Sequence, residues 1–143
     1  MPGGSDPPAA VVTVVLVDDH AFFRDGVARG LSKSGRIRVV GAADDGNAGL
    51  ELIRREAPDV ALVDYQMPGL NGLDVVAAVA REQLATRILL LSAISDPSVV
   101  SRALQHGASG YLSKDASRRE IAEGVIRVAG GDTVRPPKCS DDS

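Results

Sequence analysis

Five short apolar runs, each separated from the next by a stretch of helical period, constrain this chain more than any other feature. The runs are Thr13–Val17, Arg38–Ala42, Val60–Val63, Ile88–Leu91 and Ser109–Leu112. Most are apolar throughout instead of alternating, as expected of strands in a parallel sheet buried on both faces. The stretches between them place apolar residues on one helical face. Phe23, Val27 and Leu31 fall at i, i+4, i+8; Ala48 pairs with Leu52 and Gly49 with Ile53, before Pro58 ends that helix. Val76, Val79 and Ala80 mark a third helix, Val99, Ala103 and Leu104 a fourth, and Ile121, Val125, Val128 and Ala129 a fifth. Start signals agree. Asp96-Pro97 reads as an N-cap followed by Pro at the first helical position, and Ser117 to Glu120 as a capping box.

Alternation of this kind predicts an α/β fold, a (βα)5 doubly wound parallel sheet of flavodoxin-like type with strand order 2-1-3-4-5. The predicted domain covers residues 11–130, which suits a chain of 143 residues. Residues 1–10 are a Pro/Gly-rich stretch without apolar period, expected to be a disordered tail. Residues 131–143, with Pro136-Pro137 and a polar end, are expected to be a linker or tail.

Composition narrows the function. No apolar run approaches the length of a membrane span, and the N-terminus carries no basic signal-peptide region. Cys139 is the single cysteine, so an intrachain disulfide and a multi-thiolate zinc site are both excluded. A cytoplasmic location without membrane contact is expected. A net charge of −3 and 3% aromatic residues argue against a free-standing nucleic-acid binder.

In a doubly wound sheet the site lies at the carboxyl ends of the strands. Asp18-Asp19 follow strand 1, Asp64 follows strand 3, Ser92 follows strand 4 and Lys114 follows strand 5. Asp44-Asp45-Gly46, after strand 2, fits no more than an acidic turn and helix cap. A single Asp after a strand is usually a cap or turn residue. Three carboxylates, a hydroxyl and an ammonium converging on one edge are harder to explain that way. The carboxylates repel, so they require a cation or a raised pKa, and a hard divalent ion such as Mg2+ meets that need. The resulting neutral polar site, with an open metal position, suits an incoming phosphoryl group.

These residues sit in motifs that together resemble the receiver domain of bacterial two-component response regulators. The motifs are VLVDDH, ALVDYQMPGLNG, ILLLSA and GYLSKD, and the resemblance runs from about Val11 to Ala129. The DDH, the MPGLNGL loop, and Lys114 followed by Asp115 resemble the NarL/FixJ subfamily, whose members carry a LuxR-like helix-turn-helix after the receiver. The resemblance implies that Asp64 accepts a phosphoryl group from a sensor histidine kinase or a small donor such as acetyl phosphate. It implies Mg2+ held by Asp18, Asp19, Asp64 and the backbone carbonyl of Gln66. Lys114 and Ser92 are implied as partners of the phosphoryl oxygens, and Ser92 with Tyr111 as the switch pair. Such a protein catalyses its own phosphotransfer and slow dephosphorylation without turning over a substrate, and homodimerises in some cases. DNA contact is expected only through a helix-turn-helix absent from this chain. Two other readings are a receiver-like interaction module that acts without phosphorylation, and a phosphatase with an aspartyl-phosphate intermediate. The first would show losses among the site residues, and the second would need Asp-x-Asp after its first strand; neither sign is present.

Other residues take plainer readings. His20 is expected to stand beside the metal site as a bystander, because hard oxygen ligands already complete it. His106 reads as a surface or capping residue, Pro68-Gly69 as a turn, and Arg118, Arg119 and Arg127 as a solvated face. Cys139 reads as incidental. Tyr65, Gln66 and Ala93 lie where receivers tune access of water to the phosphoryl group.

Overall fold

The computed structural model describes residues 11–93 and 96–136. Expectations for residues 1–10 and for Cys139 fall outside them. The elements alternate strictly: β1 (Val12–Val17), α1 (Ala21–Lys33), β2 (Ile37–Ala43), α2 (Gly46–Glu56), β3 (Val60–Asp64), α3 (Gly72–Arg81), β4 (Arg87–Ser92), α4 (Pro97–Gln105), β5 (Gly110–Ser113) and α5 (Arg118–Ala129). The strands form one parallel sheet in the order β2-β1-β3-β4-β5, as the alternation predicts.

Side chains of a strand point alternately to the two faces, and each face has its own core. Val15, Val17, Ala61, Val63, Ile88 and Leu90 pack with Leu50 and Ile53 of α2, Val75 and Val79 of α3, and Val100 and Ala103 of α4. Their neighbours Val14, Leu16, Val60, Leu62, Leu89 and Leu91 pack with Val27 and Leu31 of α1 and Ile121, Val125 and Val128 of α5. Continuous apolar strands are thus what two covered faces require. The helix ends follow the expected chemistry. Asp45 caps α2 through Ala48 N, Asp96 caps α4 through Ser98 N ahead of Pro97, and Ser117 with Glu120 closes a capping box on α5. A second capping box, Asn71 with Asp74, starts α3. His106 is the C-cap of α4, its Nδ1 lying 2.8 Å from the Arg102 carbonyl.

Two local readings change. Arg118 is exposed but also packs on α1: its aliphatic carbons lie over Gly30 and its guanidinium over Gly26, so that a Cβ at either glycine would force it to shift. Residues 131–136, expected to lead away as a tail, stay with the sheet. Val134 bridges to Gly110, accepts a hydrogen bond from Tyr111 N at 2.9 Å and donates one to the Ser109 carbonyl at 3.2 Å. Its side chain is 4% exposed and joins the α1/α5 core. One apolar residue among polar ones has no period, which is why the pattern reading stops at Gly130.

If that docking is real stabilisation, Val134→Ala removes two buried methyl-sized groups and lowers unfolding free energy by about 1–2 kcal/mol. Urea denaturation measures this, and an unchanged midpoint would show that residues 131–136 add nothing to the fold.

Candidate functional site

The register of the strands assembles the site. Val17 of β1 pairs with Val63 of β3, so Asp18 and Asp64 come one step later on adjacent central strands. Ser92 ends β4 in register with Ser113 of β5, and Lys114 follows it. The Lys114 backbone N–H donates to the Ser92 carbonyl at 2.9 Å, which ties the lysine to the β4 end. Gly72 lets α3 begin directly against β3. Its N–H donates to the Tyr65 carbonyl at 2.9 Å, and a Cβ there would come within 2.9 Å of the Asp64 carbonyl oxygen. The turn before it uses Gly69 at φ +76°, a backbone conformation that favours glycine.

Asp18 and Asp64 are 4% and 3% exposed. Lys114 Nζ lies between them, 2.9 Å from Asp18 Oδ2 and 3.2 Å from Asp64 Oδ2. The contact with Asp64 is a hydrogen bond. The contact with Asp18 is close but poorly directed, so the enclosed Oδ2 is held by charge without a hydrogen-bond donor. Asp64 Oδ1 accepts from Gln66 N at 3.2 Å, and Asp18 Oδ1 from His20 N at 2.8 Å. Arg24 donates to the Asp18 carbonyl at 2.6 Å. The more exposed Asp19 brings a third carboxylate, and ligand atoms of Asp18, Asp19, His20 and Asp64 all lie within 4.8 Å of one another.

Burial, and then the charge of Asp18 beside it, push the Asp64 carboxyl above its ordinary pKa, against the opposing pull of Lys114. For Lys114, burial works against the charged form, but Asp18 and Asp64 outweigh it and raise the ammonium above its usual value. The lysine therefore stays charged beside carboxylates that repel each other. Three carboxylates against one ammonium leave the site two negative charges in excess, and the donor set is oxygen-rich with one buried carboxylate oxygen lacking a donor. Such a set fits a hard divalent cation.

Every residue singled out from the strand ends is thus at this edge: Asp18, Asp19, Asp64, Ser92 and Lys114, with Gln66 two residues beyond Asp64. Ser92 and Tyr111 are both fully buried. The Tyr111 ring lies 6.0 Å from that of Tyr65, tilted by 50°, linking β5 to the residue after Asp64. One participant was not anticipated. Phe23, read only as part of an apolar helix face, places its ring 4.6 Å from Lys114 Nζ in a cation–π contact. Its separation from Lys114 in the chain leaves no local pattern that would reveal the pair.

This edge geometry and fold are those of a receiver. Residues 14–126 match the family model described as the response regulator receiver domain, and the chain belongs to that family. Its relatives are NarL-type transcription regulators. The chain is 53% identical over 133 residues to the probable transcriptional regulatory protein NarL of Mycobacterium tuberculosis (strain ATCC 25618 / H37Rv), covering 93% of this chain and 62% of that protein. It is 37% identical over 122 residues to the nitrate/nitrite response regulator protein NarL of Escherichia coli (strain K12), covering 85% of this chain and 56% of that protein. The chain therefore spans less than two thirds of these relatives. The solved receiver domain of the putative response regulator NarL from Mycobacterium tuberculosis superposes with a TM-score of 0.83 at 54% identity, over 85% of this chain and 98% of that one. Among the described residues no helix is long and apolar enough to cross a membrane.

The raised Asp64 pKa sets a stability prediction. A carboxyl whose pKa is higher folded than unfolded contributes stability below the unfolded value, and loses it as pH rises through the folded one. In buffer with chelator, Asp64→Asn should match wild type in strong acid and melt a few degrees higher at neutral pH. A variant that melts lower at neutral pH would contradict the mutual repulsion described here.

Proposed function

We propose that Asp64 is the nucleophile of a phosphorylation switch. Its carboxylate takes a phosphoryl group from the phosphohistidine of a sensor histidine kinase, or from a small donor such as acetyl phosphate. The observation that carries this reading is Lys114, whose ammonium bridges the two buried carboxylates Asp18 and Asp64. It is a pre-positioned cation where charge builds up on a transferring phosphoryl group. Asp18, Asp19, Asp64 and the Gln66 carbonyl would hold Mg2+, which supplies charge neutralisation to the phosphoryl oxygens when bound. The residues act mainly by position. The Gln66 N–H holds Asp64 Oδ1, leaving Oδ2 as the oxygen that faces Lys114. In-line attack breaks the donor's bond to phosphorus and forms an acyl phosphate on Asp64, and Lys114 follows the charge onto the phosphoryl group.

Ser92 would report the event, its hydroxyl donating to a phosphoryl oxygen, while Tyr111, already buried near Tyr65, repacks beside it. The change is a population shift of the β4–α4 loop and the α4–β5 surface. The names of the relatives support transcriptional output, exerted through a helix-turn-helix outside residues 11–136 and, on phosphorylation, through a homodimer.

Incubation with acetyl phosphate tests the chemistry. Intact mass should rise by one phosphoryl group with Mg2+ present, remain unchanged with chelator, and remain unchanged in Asp64→Asn. Labelling that persists in the variant, mapped to another residue, would refute the assignment.

Ser92→Ala tests the coupling separately. It should still take up the label, yet lose most of the hydrogen-exchange change that wild type shows across α4 and β5. Equal changes in both proteins would disconnect Ser92 from the switch.

A further inference from the structure

His20 is the N-cap residue of α1, but its side chain makes no capping hydrogen bond. An N-cap side chain ordinarily accepts from the first turn of its helix. Here the ring turns the other way. Its Nδ1 lies 3.2 Å from Asp18 Oδ1, 3.2 Å from Asp19 Oδ1 and 3.9 Å from Asp64 Oδ2, while 65% of the side chain stays open to solvent. Adjacent ligands of an octahedral cation at 2.0–2.1 Å stand about 3.0 Å apart. The two shorter separations are those of neighbouring ligands on one ion, and the third is wider but within the same shell. Lys114 Nζ lies 3.4 Å from the same nitrogen. The 3.2 Å approach to Asp18 Oδ1 is also a hydrogen-bonding distance, with its direction set by the ring tautomer. Three carboxylates and an imidazole nitrogen converge here against the single ammonium of Lys114, a charge balance that a divalent cation completes.

We propose that His20 is a fourth side-chain ligand of this cation site, and that its imidazole turns the site toward a divalent transition ion, Mn2+ above Mg2+. The inference rests on the metal-assisted reading of Asp64 above. Carboxylates suit Mg2+ and Mn2+ alike, whereas imidazole suits transition metals. Mg2+ gives up its water reluctantly and gains little from a nitrogen ligand. Loss of the ring should therefore weaken Mn2+ and spare Mg2+.

Electron paramagnetic resonance on the full 143-residue chain, titrated with Mn2+ alone, reads this without any phosphotransfer. Wild type should show the pulsed-resonance nitrogen coupling of a directly bound imidazole, altered by 15N-histidine labelling. His20→Ala should lose that coupling and bind Mn2+ about tenfold more weakly, with little change in Mg2+ affinity measured by competition. His20→Gln, which restores an oxygen ligand, should recover part of the Mn2+ affinity without the nitrogen signal. Bound Mn2+ with no imidazole coupling overturns the inference and leaves the phosphorylation reading standing; so does an equal loss of Mn2+ and Mg2+ affinity in His20→Ala. Wild-type chain that binds neither ion overturns both.

Discussion

A parallel sheet that hides both of its faces leaves only its two ends open, and this molecule's organisation depends on that constraint. Each crossover must return the chain to the same starting edge, so every strand delivers its last residue to the opposite one. With β1 and β3 central, polar residues that end these strands are pressed together and largely shielded from water. The apolar cores above and below the sheet leave little freedom to spread them apart. Packed interiors resist such adjustment, so the charges meet because the strands do.

Crowding of this kind is costly unless it is answered. The answer comes from the sheet's own edge, since Lys114 reaches back from the end of β5 to Asp18 and Asp64. The lysine is in turn supported on three sides: by the carboxylates, by its backbone bond to Ser92, and by the face of Phe23. The site is therefore electrostatically unfinished but geometrically ready. Preorganised charge requires little rearrangement when a further charge develops, and that is the condition under which electrostatic catalysis is most effective.

Much of this was readable from residues alone, for a definite reason. Where a buried strand stops, the change from apolar to polar is abrupt in sequence, so Asp18, Asp64, Ser92 and Lys114 mark both the strand ends and the site. The caps on α4 and α5 were equally plain, because capping chemistry is local. The Asn71–Asp74 cap of α3 obeys the same rule and was legible in principle. What sequence pattern does not carry is contact between distant segments. Phe23 beneath Lys114, the Arg118 side chain over Gly26 and Gly30, and the tyrosine pair all depend on how elements dock. The inward turn of His20 belongs with them, since an exposed residue after an acidic pair has no period to read.

Val134 has a geometric consequence of its own. Its hydrogen bonds with Ser109 and Tyr111 seat it beside β5 as an added partner of that strand. Val134 is indexed to the strand that carries Tyr111 and leads into Lys114. Its bearing is thus measured from the strand beside the acidic edge, with α5 as a flank. A slide or tilt of β5 would therefore carry Val134 with it, because the bridge fixes one to the other.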